Sequence, residues 1–421
     1  MSTPVAPIAK LDTSGSRWHV RADSVHGCVA QIDAIWASAA AATDAEHVTD
    51  GKRESALGDP RLSGHLDQGG SVRVRMRTSV LTLVVMAPRP ETAERAMSVI
   101  NALAQRHPSR AIVIAPADPD GPAWMDAHIY AECKLTERTD VEVCTEQLLI
   151  KAGGELAQHP ARVVAPLLIH DLPAVLWWPD DPHFGTRPFR EIATVTDLLL
   201  VDSGTFAESG IAPLAGLAEV VREGVTVSDI GWLRLALWRE LLAGLFDHPL
   251  LTRELEHIRT VRIDICRPAQ TFRLTKAAYF VGWLAAMLGW EVVKPLHTAD
   301  GSSGGRDDGL AVGTLRSGRK EIKVELRAAR ATGHDAALSA GSLIRVEVES
   351  SRQGHAIRAR ITRQHDHLLA TADWNGAQVC KRAGQLEEFN ETPFVAEALE
   401  RPGADRIFER ALLHAVRFSS G

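Results

Sequence analysis

A strand–helix–strand pattern near residue 80 constrains the fold of this chain more than any other feature. Ser79–Ala87 is an almost continuous apolar run, which is typical of a strand buried on both faces. Glu91–Arg106 follows with apolar residues at helical spacing, and a second apolar run, Arg110–Ala115, comes after Pro108. Because a helical crossover joins parallel strands and is right-handed, this pattern predicts a parallel sheet.

The alternation of strands and helices continues for a further hundred residues. The predicted strands are His128–Leu135, Pro173–Trp178 and Leu198–Asp202, and the predicted helices are Cys144–Ala157, Phe189–Val195 and Ile211–Arg222. This order predicts an α/β fold with a doubly wound, mostly parallel sheet over residues 71–227. Residues 1–70 are predicted to form an N-terminal tail, a helix at Ser24–Ala42 and a polar linker at Thr43–Gly70.

The hydrophobic period changes in the last third of the chain. Two further helices are predicted at Ser228–Asp247 and Leu274–Leu288, with a strand at Arg259–Cys266 between them. The period then becomes two, which predicts strands at Glu321–Arg327, Leu343–Glu349, Ala356–Arg363 and Leu368–Trp374, before a last helix at Phe394–Val416. We therefore expect an α+β domain with an antiparallel sheet over residues 228–421, and a solvated sheet face that carries charges of both signs.

Two adjacent tryptophans end one predicted strand and suggest a site for a partner. Trp177 and Trp178 are followed directly by Pro179, Asp180 and Asp181, so the strand must end there in a loop. Neighbouring side chains of a strand point to opposite faces. Either both rings are buried in the core, or one ring is buried and the other is exposed to a partner. The second interpretation makes Trp177, Trp178, Pro179, Asp180 and Asp181 candidate partner-binding residues.

Motifs that could carry chemistry are weak. The turn Ala87–Glu91 has no glycine that would let the backbone approach a pyrophosphate, and Glu91 would repel one. Gly301–Gly305 matches a nucleophile motif by letter, but no helix is predicted after it. The pair His365 and His367 lacks a third metal ligand, and His170–Asp171 lacks a partnered serine or cysteine, so turns are the favoured interpretation of both. We predict no catalytic residue, no metal site and no cofactor.

Composition narrows the class of protein. The net charge of −6 argues against a nucleic-acid partner, and no apolar run reaches transmembrane length, so we expect a cytoplasmic protein without a membrane contact.

The cysteines are Cys28, Cys133, Cys144, Cys266 and Cys380. Their number is odd and none forms a CxxC pair, so reduced, mostly buried thiols are expected. The ten tryptophans are scattered, which is not the spacing of a base-stacking platform.

Several blocks together resemble one protein family. The blocks are RTSVLTLVVMAP at Arg77–Pro88, INALAQRHPSRAIVI at Ile100–Ile114, LLIHDLPAVLWWPDDP at Leu167–Pro182, FREIATVTDLLLVDS at Phe189–Ser203 and WLRLALWRELLAGLFD at Trp232–Asp247. In this order they resemble the glucose-6-phosphate dehydrogenase assembly protein family, OpcA. The resemblance covers about Arg77 to Arg267 well and the C-terminal third loosely.

The resemblance implies a function that the residues alone do not give. It implies a non-catalytic factor that binds glucose-6-phosphate dehydrogenase, promotes its active oligomer and supports the oxidative pentose phosphate pathway. An alternative is a sugar-phosphate-binding protein or enzyme that uses the crevice at the carboxyl ends of the parallel strands, lined by Pro179–Gly185 and Asp202–Thr205. A structural subunit with a permanent interface is a third possibility. The oligomeric state of the chain itself stays open.

Overall fold

A computed structural model of the chain describes residues 16–39, 74–77, 79–135, 141–267, 273–298, 310–329, 338–386 and 390–420. The chain divides into two compact units. Unit 1 is Met1–Pro179 with Thr186–Leu199, and unit 2 is Asp180–Gly185 with Leu200–Gly421. The predicted linker Thr43–Gly70, most of the N-terminal tail and the loop Gly301–Gly305 lie outside the described residues.

Unit 1 is built mainly from strands. Its strands are β1 (Ser16–Ala22), β2 (Val74–Arg77), β3 (Leu81–Met86), β4 (Ser109–Pro116), β5 (Trp124–Leu135), β6 (Val141–Gly153), β7 (Ala174–Trp178) and β8 (Leu198–Val201), the last of which crosses the unit boundary. Its helices are α1 (described over residues 25–39), α2 (Pro90–Leu103), α3 (Glu155–Gln158), α4 (Pro160–Val164) and α5 (Arg187–Ala193).

The sheet of unit 1 confirms the predicted α/β fold. Its strand order is β1-β5-β6-β4-β3-β7-β8, and β2 also pairs with β6. The pairs β3–β4, β3–β7 and β4–β6 are parallel, whereas β5 runs antiparallel to both β1 and β6. All six residues of β3 are buried, as its continuous apolar run predicts. Helix α2 begins at Pro90 and buries the apolar face Ala93, Ala96, Val99, Ile100 and Leu103.

One predicted helix of unit 1 is a strand. Cys144–Ala157 was expected to be helical, but residues up to Gly153 belong to β6, and only the short α3 follows. Every second residue from Cys144 to Ala152 is buried, which is the period of a strand. Strand β1 was not predicted either; it begins at the end of the segment predicted to be a tail and precedes the predicted helix at Ser24–Ala42.

The expectation that all five cysteines are reduced is also wrong. Cys133 on β5 and Cys144 on β6 are directly paired across the antiparallel hairpin, with their Cα atoms 4.0 Å apart, and they form a disulfide. Because the sequence predicts Cys144 in a helix, it does not place this residue opposite Cys133 in a hairpin and does not indicate the pair. Cys28, Cys266 and Cys380 form no disulfide; the first two are buried and Cys380 is partly exposed. Burial raises the pKa of the Cys28 thiol to about 11.

Unit 2 packs helices against a second sheet. Its helices are α6 (Ile211–Arg222), α7 (Ile230–Leu233), α8 (Ala236–Phe246), α9 (Thr275–Leu288), α10 (Thr392–Glu400) and α11 (Arg406–Ser419). Its strands are β9 (Val227–Asp229), β10 (Ile258–Cys266), β11 (Glu291–Thr298), β12 (Leu310–Ser317), β13 (Lys320–Ala329), β14 (Leu343–Arg352), β15 (His355–Gln364), β16 (His367–Trp374) and β17 (Ala377–Gln385).

The second sheet is mixed. Its order is β11-β12-β13-β10-β14-β15-β16-β17, and the neighbours are antiparallel except for the parallel pair β10–β13. Helices α9 and α11 approach closely at Gly282, where a Cβ atom would lie 2.2 Å from the carbonyl oxygen of Ala411. Gly289 ends α9 in a left-handed conformation, which glycine adopts without strain.

Several predicted bounds in unit 2 need correction. The helix predicted at Ser228–Asp247 is two helices, α7 and α8, and Asp229 rather than Ser228 caps the first by accepting from the Gly231 amide. The last predicted helix, Phe394–Val416, is interrupted between α10 and α11 by a segment that contains Pro402 and Gly403. Strands β11, β12 and β17 were not predicted. Within the described residues, no helix is long and apolar enough to cross a membrane.

Candidate functional site

Both tryptophans of the candidate segment are buried. Trp177 exposes 0% and Trp178 8% of its surface, and the Trp178 ring lies 5.6 Å from the ring of Phe189. The two rings belong to β7, all of whose residues are buried, so alternation directs them to opposite faces that are both covered. The expectation that one ring is exposed is therefore wrong.

The rest of the candidate segment is bound to its own chain. In unit 1, Arg95 on α2 donates to the Pro179 carbonyl oxygen at 3.4 Å. In unit 2, Asp180 is buried, and the Oδ2 atom of Asp181 accepts from the Ala207 amide at 2.9 Å. Asp181 is the only member of the segment that is not buried. Partner binding by these five residues stays a prediction, and Asp181 is the member most accessible to a partner.

The carboxyl ends of the parallel strands in unit 1 carry few groups that could hold a phosphate. Helix α2 starts at Pro90, within the segment Ala87–Glu91 that lacks glycine, and Glu91 lies in its first turn. The strand end of β6 does carry two glycines, Gly153 and Gly154, but the chain fills the space beside them. A Cβ atom at Gly153 would lie 2.1 Å from Trp124 Nε1, and one at Gly154 would lie 2.6 Å from the Pro122 carbonyl oxygen. These glycines therefore serve close packing.

The two loops of the alternative crevice contain side chains that are already engaged within unit 2. Phe184 packs edge-on against the buried Phe206, with ring centroids 6.0 Å apart. Arg234 Nη1 donates to Asp202 Oδ2 at 2.5 Å, and Arg273 Nη1 donates to the Gly204 carbonyl oxygen at 2.6 Å. Each of these cations already has a carboxylate or carbonyl partner, and an incoming phosphate would have to compete with it.

A buried carboxylate lies near these loops in unit 2. Asp229 Oδ1 accepts from the amides of Ser203 and Gly231 at 3.0 and 2.8 Å, and its Oδ2 accepts from the Tyr279 hydroxyl at 2.6 Å. Burial raises the pKa of Asp229 to about 6, although these hydrogen bonds favour its charged form. The sequence did not single out Asp229 or Tyr279, because their approach depends on tertiary packing.

A cavity of about 440 Å³ opens beside Asp229. Residues from two parts of unit 2 line it: Val227, Ser228, Asp229, Trp232, Leu233, Glu397, Ala398, Arg401, Gly403, Ala404, Asp405 and Phe408. Trp232 Nε1 donates to Asp405 Oδ2 at 3.1 Å, and the Arg239 guanidinium lies 3.4 Å from the Trp232 ring centroid. Arg401 pairs with Glu397 at 3.1 Å. Carboxylates outnumber cations in this lining, which disfavours an anionic ligand.

A hydrogen bond between a histidine and a glutamate connects two helices of unit 1. His159 Nδ1 lies 2.8 Å from Glu191 Oε2, and Glu191 also pairs with Arg187 at 2.7 Å. The hydrogen bonds from His159 and then Arg187 lower the pKa of Glu191. The arrangement joins the start of α4 to α5, so its role in the described residues is structural.

The histidine motifs found in the sequence lie in turns, as predicted. His365 and Asp366 form the two-residue turn between β15 and β16, with a positive φ of 45° at His365. Asp171, next to His170, has a φ of 67° and also lies in a turn. Within the described residues, no group of three or more His, Cys, Asp or Glu side chains is placed to hold a metal ion.

Two family models match successive parts of the chain. Residues 100–219 match the glucose-6-phosphate dehydrogenase subunit N-terminal domain, and residues 225–412 match the C-terminal domain of the same subunit. Together they cover more than half of the chain, and they fall in the order expected for a single member of that family.

Curated relatives carry a consistent, provisional name. A protein of Nostoc punctiforme, provisionally named OxPP cycle protein OpcA, is 25% identical over 320 residues, which is 75% of this chain and 66% of the relative. A protein of the same name from Synechococcus elongatus is 25% identical over 74% of this chain and 68% of its own length. The matches thus span about two thirds of each relative.

Solved structures give a more distant likeness. A provisionally named oxidoreductase, YvaA of Bacillus subtilis, matches 80% of this chain and 95% of its own at 10% identity, with a TM-score of 0.43. The transcriptional regulator Gal80p of Kluyveromyces lactis matches 81% of this chain and 88% of its own at 10% identity, with a TM-score of 0.44. At these values the likeness carries no argument about function.

Proposed function

Since the chain belongs to the OpcA family of glucose-6-phosphate dehydrogenase subunits, we propose that it is a non-catalytic assembly factor. In this proposal it binds glucose-6-phosphate dehydrogenase and promotes the active oligomer of that enzyme, and it acts in the cytoplasm in the oxidative pentose phosphate pathway. The observation that carries the proposal is the match of both subunit domains, in order, over residues 100–219 and 225–412.

Activation of this kind requires differential affinity. A binding protein shifts an equilibrium between inactive and active enzyme only if it binds the active form more tightly. Moving the enzyme from about 1% to about 99% active would need roughly a 10⁴-fold preference, or about 5.5 kcal/mol. A smaller preference would give a smaller activation, so the size of the effect reports the difference between the two affinities.

The engagement of polar groups within the chain is consistent with a binding role. The cations Arg234 and Arg273 and the carboxylate Asp229 all have partners inside unit 2. We therefore expect the isolated chain to lack turnover and to bind neither NADP nor ATP tightly. Calorimetry that gives micromolar affinity for either nucleotide would contradict this part of the proposal.

Mixing the chain with the dehydrogenase of the same organism tests the proposal. We expect light scattering to show a complex of higher mass, and enzyme assays of the same samples to show a lower KM, a higher rate, or both. The proposal fails if no complex forms and the kinetics are unchanged. Turnover by the isolated chain, or a rise in its melting temperature with a sugar phosphate, would instead support the enzyme or sugar-phosphate-binding alternative.

A charge reversal tests the candidate segment separately. Asp181→Lys should weaken the complex, because Asp181 is the accessible member of Trp177–Asp181. Glu223→Lys makes the same change of charge at an exposed position after α6 and serves as the control. Equal affinities of the two variants would show that the interface lies elsewhere, while leaving the proposed function intact.

A further inference from the structure

Strand β1 forms an outer edge of the sheet in unit 1. Among the described residues it pairs with β5 on one side and with no strand on the other. Every second residue of such a strand directs its backbone N–H and C=O groups away from the sheet, where they can pair with an added strand. The edge therefore offers the backbone half of a strand-addition site.

The side chains of β1 on one face form a regular row. Arg17, His19 and Arg21 alternate with Trp18 and Val20, and Trp18 is buried on the opposite face. The arginine side chains are 55% and 65% exposed. The row thus places one accessible cation on each side of an imidazole, at the spacing of alternate residues in a strand.

Each arginine in the row already meets a carboxylate on β5. Arg17 pairs with Glu132 in the facing register position, and Arg21 Nη2 donates to Asp126 Oδ1 at 2.9 Å. A guanidinium has five N–H donors in a planar fork, so one carboxylate leaves donors unused. Because both arginines are more than half exposed, the unused donors are accessible on the side away from β5.

The second sheet of the same chain contains an arginine that is paired with carboxylates of both neighbouring strands. Arg262 on β10 contacts Glu325 on the neighbouring strand β13 at 3.1 Å. On its other side it contacts Glu347 and Glu349 of β14 at 3.0 and 2.8 Å. An arginine on a central strand is thus held between carboxylates of both neighbours. Arg17 and Arg21 have the carboxylate of one neighbour, and an added strand would supply the other.

The central residue of the row, His19, lies among aromatic rings, which favours a further aromatic side chain beside it. The His19 ring stacks on Tyr130 of β5, with centroids 4.5 Å apart and planes 4° apart, and His19 Nε2 lies 3.0 Å from His128 Nδ1. Burial, and then the charges of His128 and Arg21, lower the pKa of His19. A neutral ring beside the partly exposed Tyr130 favours an aromatic side chain over a third carboxylate at this position.

We propose that β1 binds an extended segment of a partner protein by strand addition, and that the segment carries an aromatic residue with a carboxylate two positions to either side. The carboxylates face Arg17 and Arg21, and the aromatic ring faces His19. The pattern is symmetric, so it fits a parallel or an antiparallel strand. A second copy of β1 fits poorly in an antiparallel pair centred on His19, since Arg17 would then face Arg21. This inference does not rest on the proposed binding of the dehydrogenase.

Synthetic peptides test the side-chain pattern on the full chain. The probe is the capped heptapeptide Thr-Glu-Thr-Tyr-Thr-Glu-Thr, and its controls replace both Glu by Lys or reorder the residues as Thr-Thr-Glu-Glu-Tyr-Thr-Thr. Fluorescence anisotropy should show that the probe binds roughly two- to thirtyfold more tightly than either control, the range expected of two cross-strand charge pairs. Equal binding of the three peptides would overturn the proposal.

Two matched variants test the location. Arg17→Glu/Arg21→Glu should weaken probe binding by about tenfold or more. Arg162→Glu/Arg222→Glu changes the net charge equally at two exposed arginines that also pair with exposed acids, and it should leave binding unchanged. Equal effects of the two variants would show that only the overall charge matters and would refute the site.

Backbone pairing is tested without any change to the protein. Two further probes are N-methylated either at the threonines or at the glutamates and the tyrosine. Each keeps every side chain but loses the donors of one edge, and the probe whose methyl groups face β1 should not bind. In the unaltered protein, the unmethylated probe should slow hydrogen exchange at alternate amides of residues 16–22. If both methylated probes bind as well as the unmethylated one, or if exchange in β1 is unaffected by bound probe, strand addition is ruled out.

Discussion

The buried ion pair between Arg110 and Glu146 allows a sharp test of what holds unit 1 together. Arg110 Nε donates to Glu146 Oε2 at 2.6 Å, and the two side chains are only 9% and 2% exposed. Trp36 Nε1 of α1 donates to Glu146 Oε1 at 2.6 Å, and Arg110 Nη1 donates to the Leu167 carbonyl oxygen at 2.8 Å. The pair therefore connects β4, β6, α1 and the segment before β7.

Removing one charge should cost more than removing both. Glu146→Gln keeps an acceptor for Trp36 but leaves the guanidinium without a counter-charge, and Arg110→Met leaves a buried carboxylate; each should lower the stability of unit 1 by about 3–5 kcal/mol. The double variant has no buried charge at this site. It should lose only about 1–3 kcal/mol, mainly through the unpaired Leu167 carbonyl and imperfect packing.

Hydrogen exchange is the suitable measurement, because two units need not unfold in one step. Exchange of amides in β4 and β6 should be fastest in the single variants and slower in the double variant, with unit 2 peptides as an internal control. If the two single effects simply add in the double variant, or if the single variants exchange like the original protein, the charge-based reasoning is wrong.

Three further predictions concern other parts of the molecule. The pKa of Asp229 is raised to about 6, so between about pH 4 and 6 the folded state keeps a proton that the unfolded state has released. The free energy of unfolding should therefore fall by about 3 kcal/mol as the pH rises through this range. Urea titrations should show that Asp229→Asn abolishes this part of the pH dependence. Alkylation of the denatured, unreduced protein should modify three cysteines and reduction should expose five, whereas five before reduction would exclude the Cys133–Cys144 bond. Trp177→Ala and Trp178→Ala should each destabilise the fold by about 3–5 kcal/mol in thermal melts, because both rings are buried; a Trp178→Ala variant of unchanged stability would show that its ring is not a core residue.

The helix predicted at Cys144–Ala157, most of which is strand β6, shows one limit of prediction from the sequence. The face formed by Cys144, Glu146, Leu148 and Ile150 has the period of a strand, but a glutamate in its middle hides the apolar pattern. Glu146 is tolerated there because Arg110, 36 residues earlier, neutralises it. The order of β3, α2 and β4 was predictable because the buried charge there, Arg110, lies near the start of β4 and leaves the apolar run after it unbroken.

The candidate segment shows a similar limit. The sequence predicted that Trp177 and Trp178 lie on opposite faces of one strand, and β7 is such a strand. Alternation cannot indicate what covers each face, so the burial of Trp178 beside Phe189 was not predictable. The partners of Asp229 were hidden for the same reason, since Tyr279 comes from a helix far along the chain.

The position of β10 has a consequence for how the chain is made. Its residues pair on one side with β13, as Thr260 does with Lys323, and on the other with β14, as Val261 does with Val348. During synthesis β10 thus leaves the ribosome long before either neighbour exists. Sheets that depend on such distant pairing fold slowly, and their unpaired apolar strands are prone to aggregation until the neighbours arrive. Unit 2 should therefore benefit from chaperones and from slow expression at low temperature.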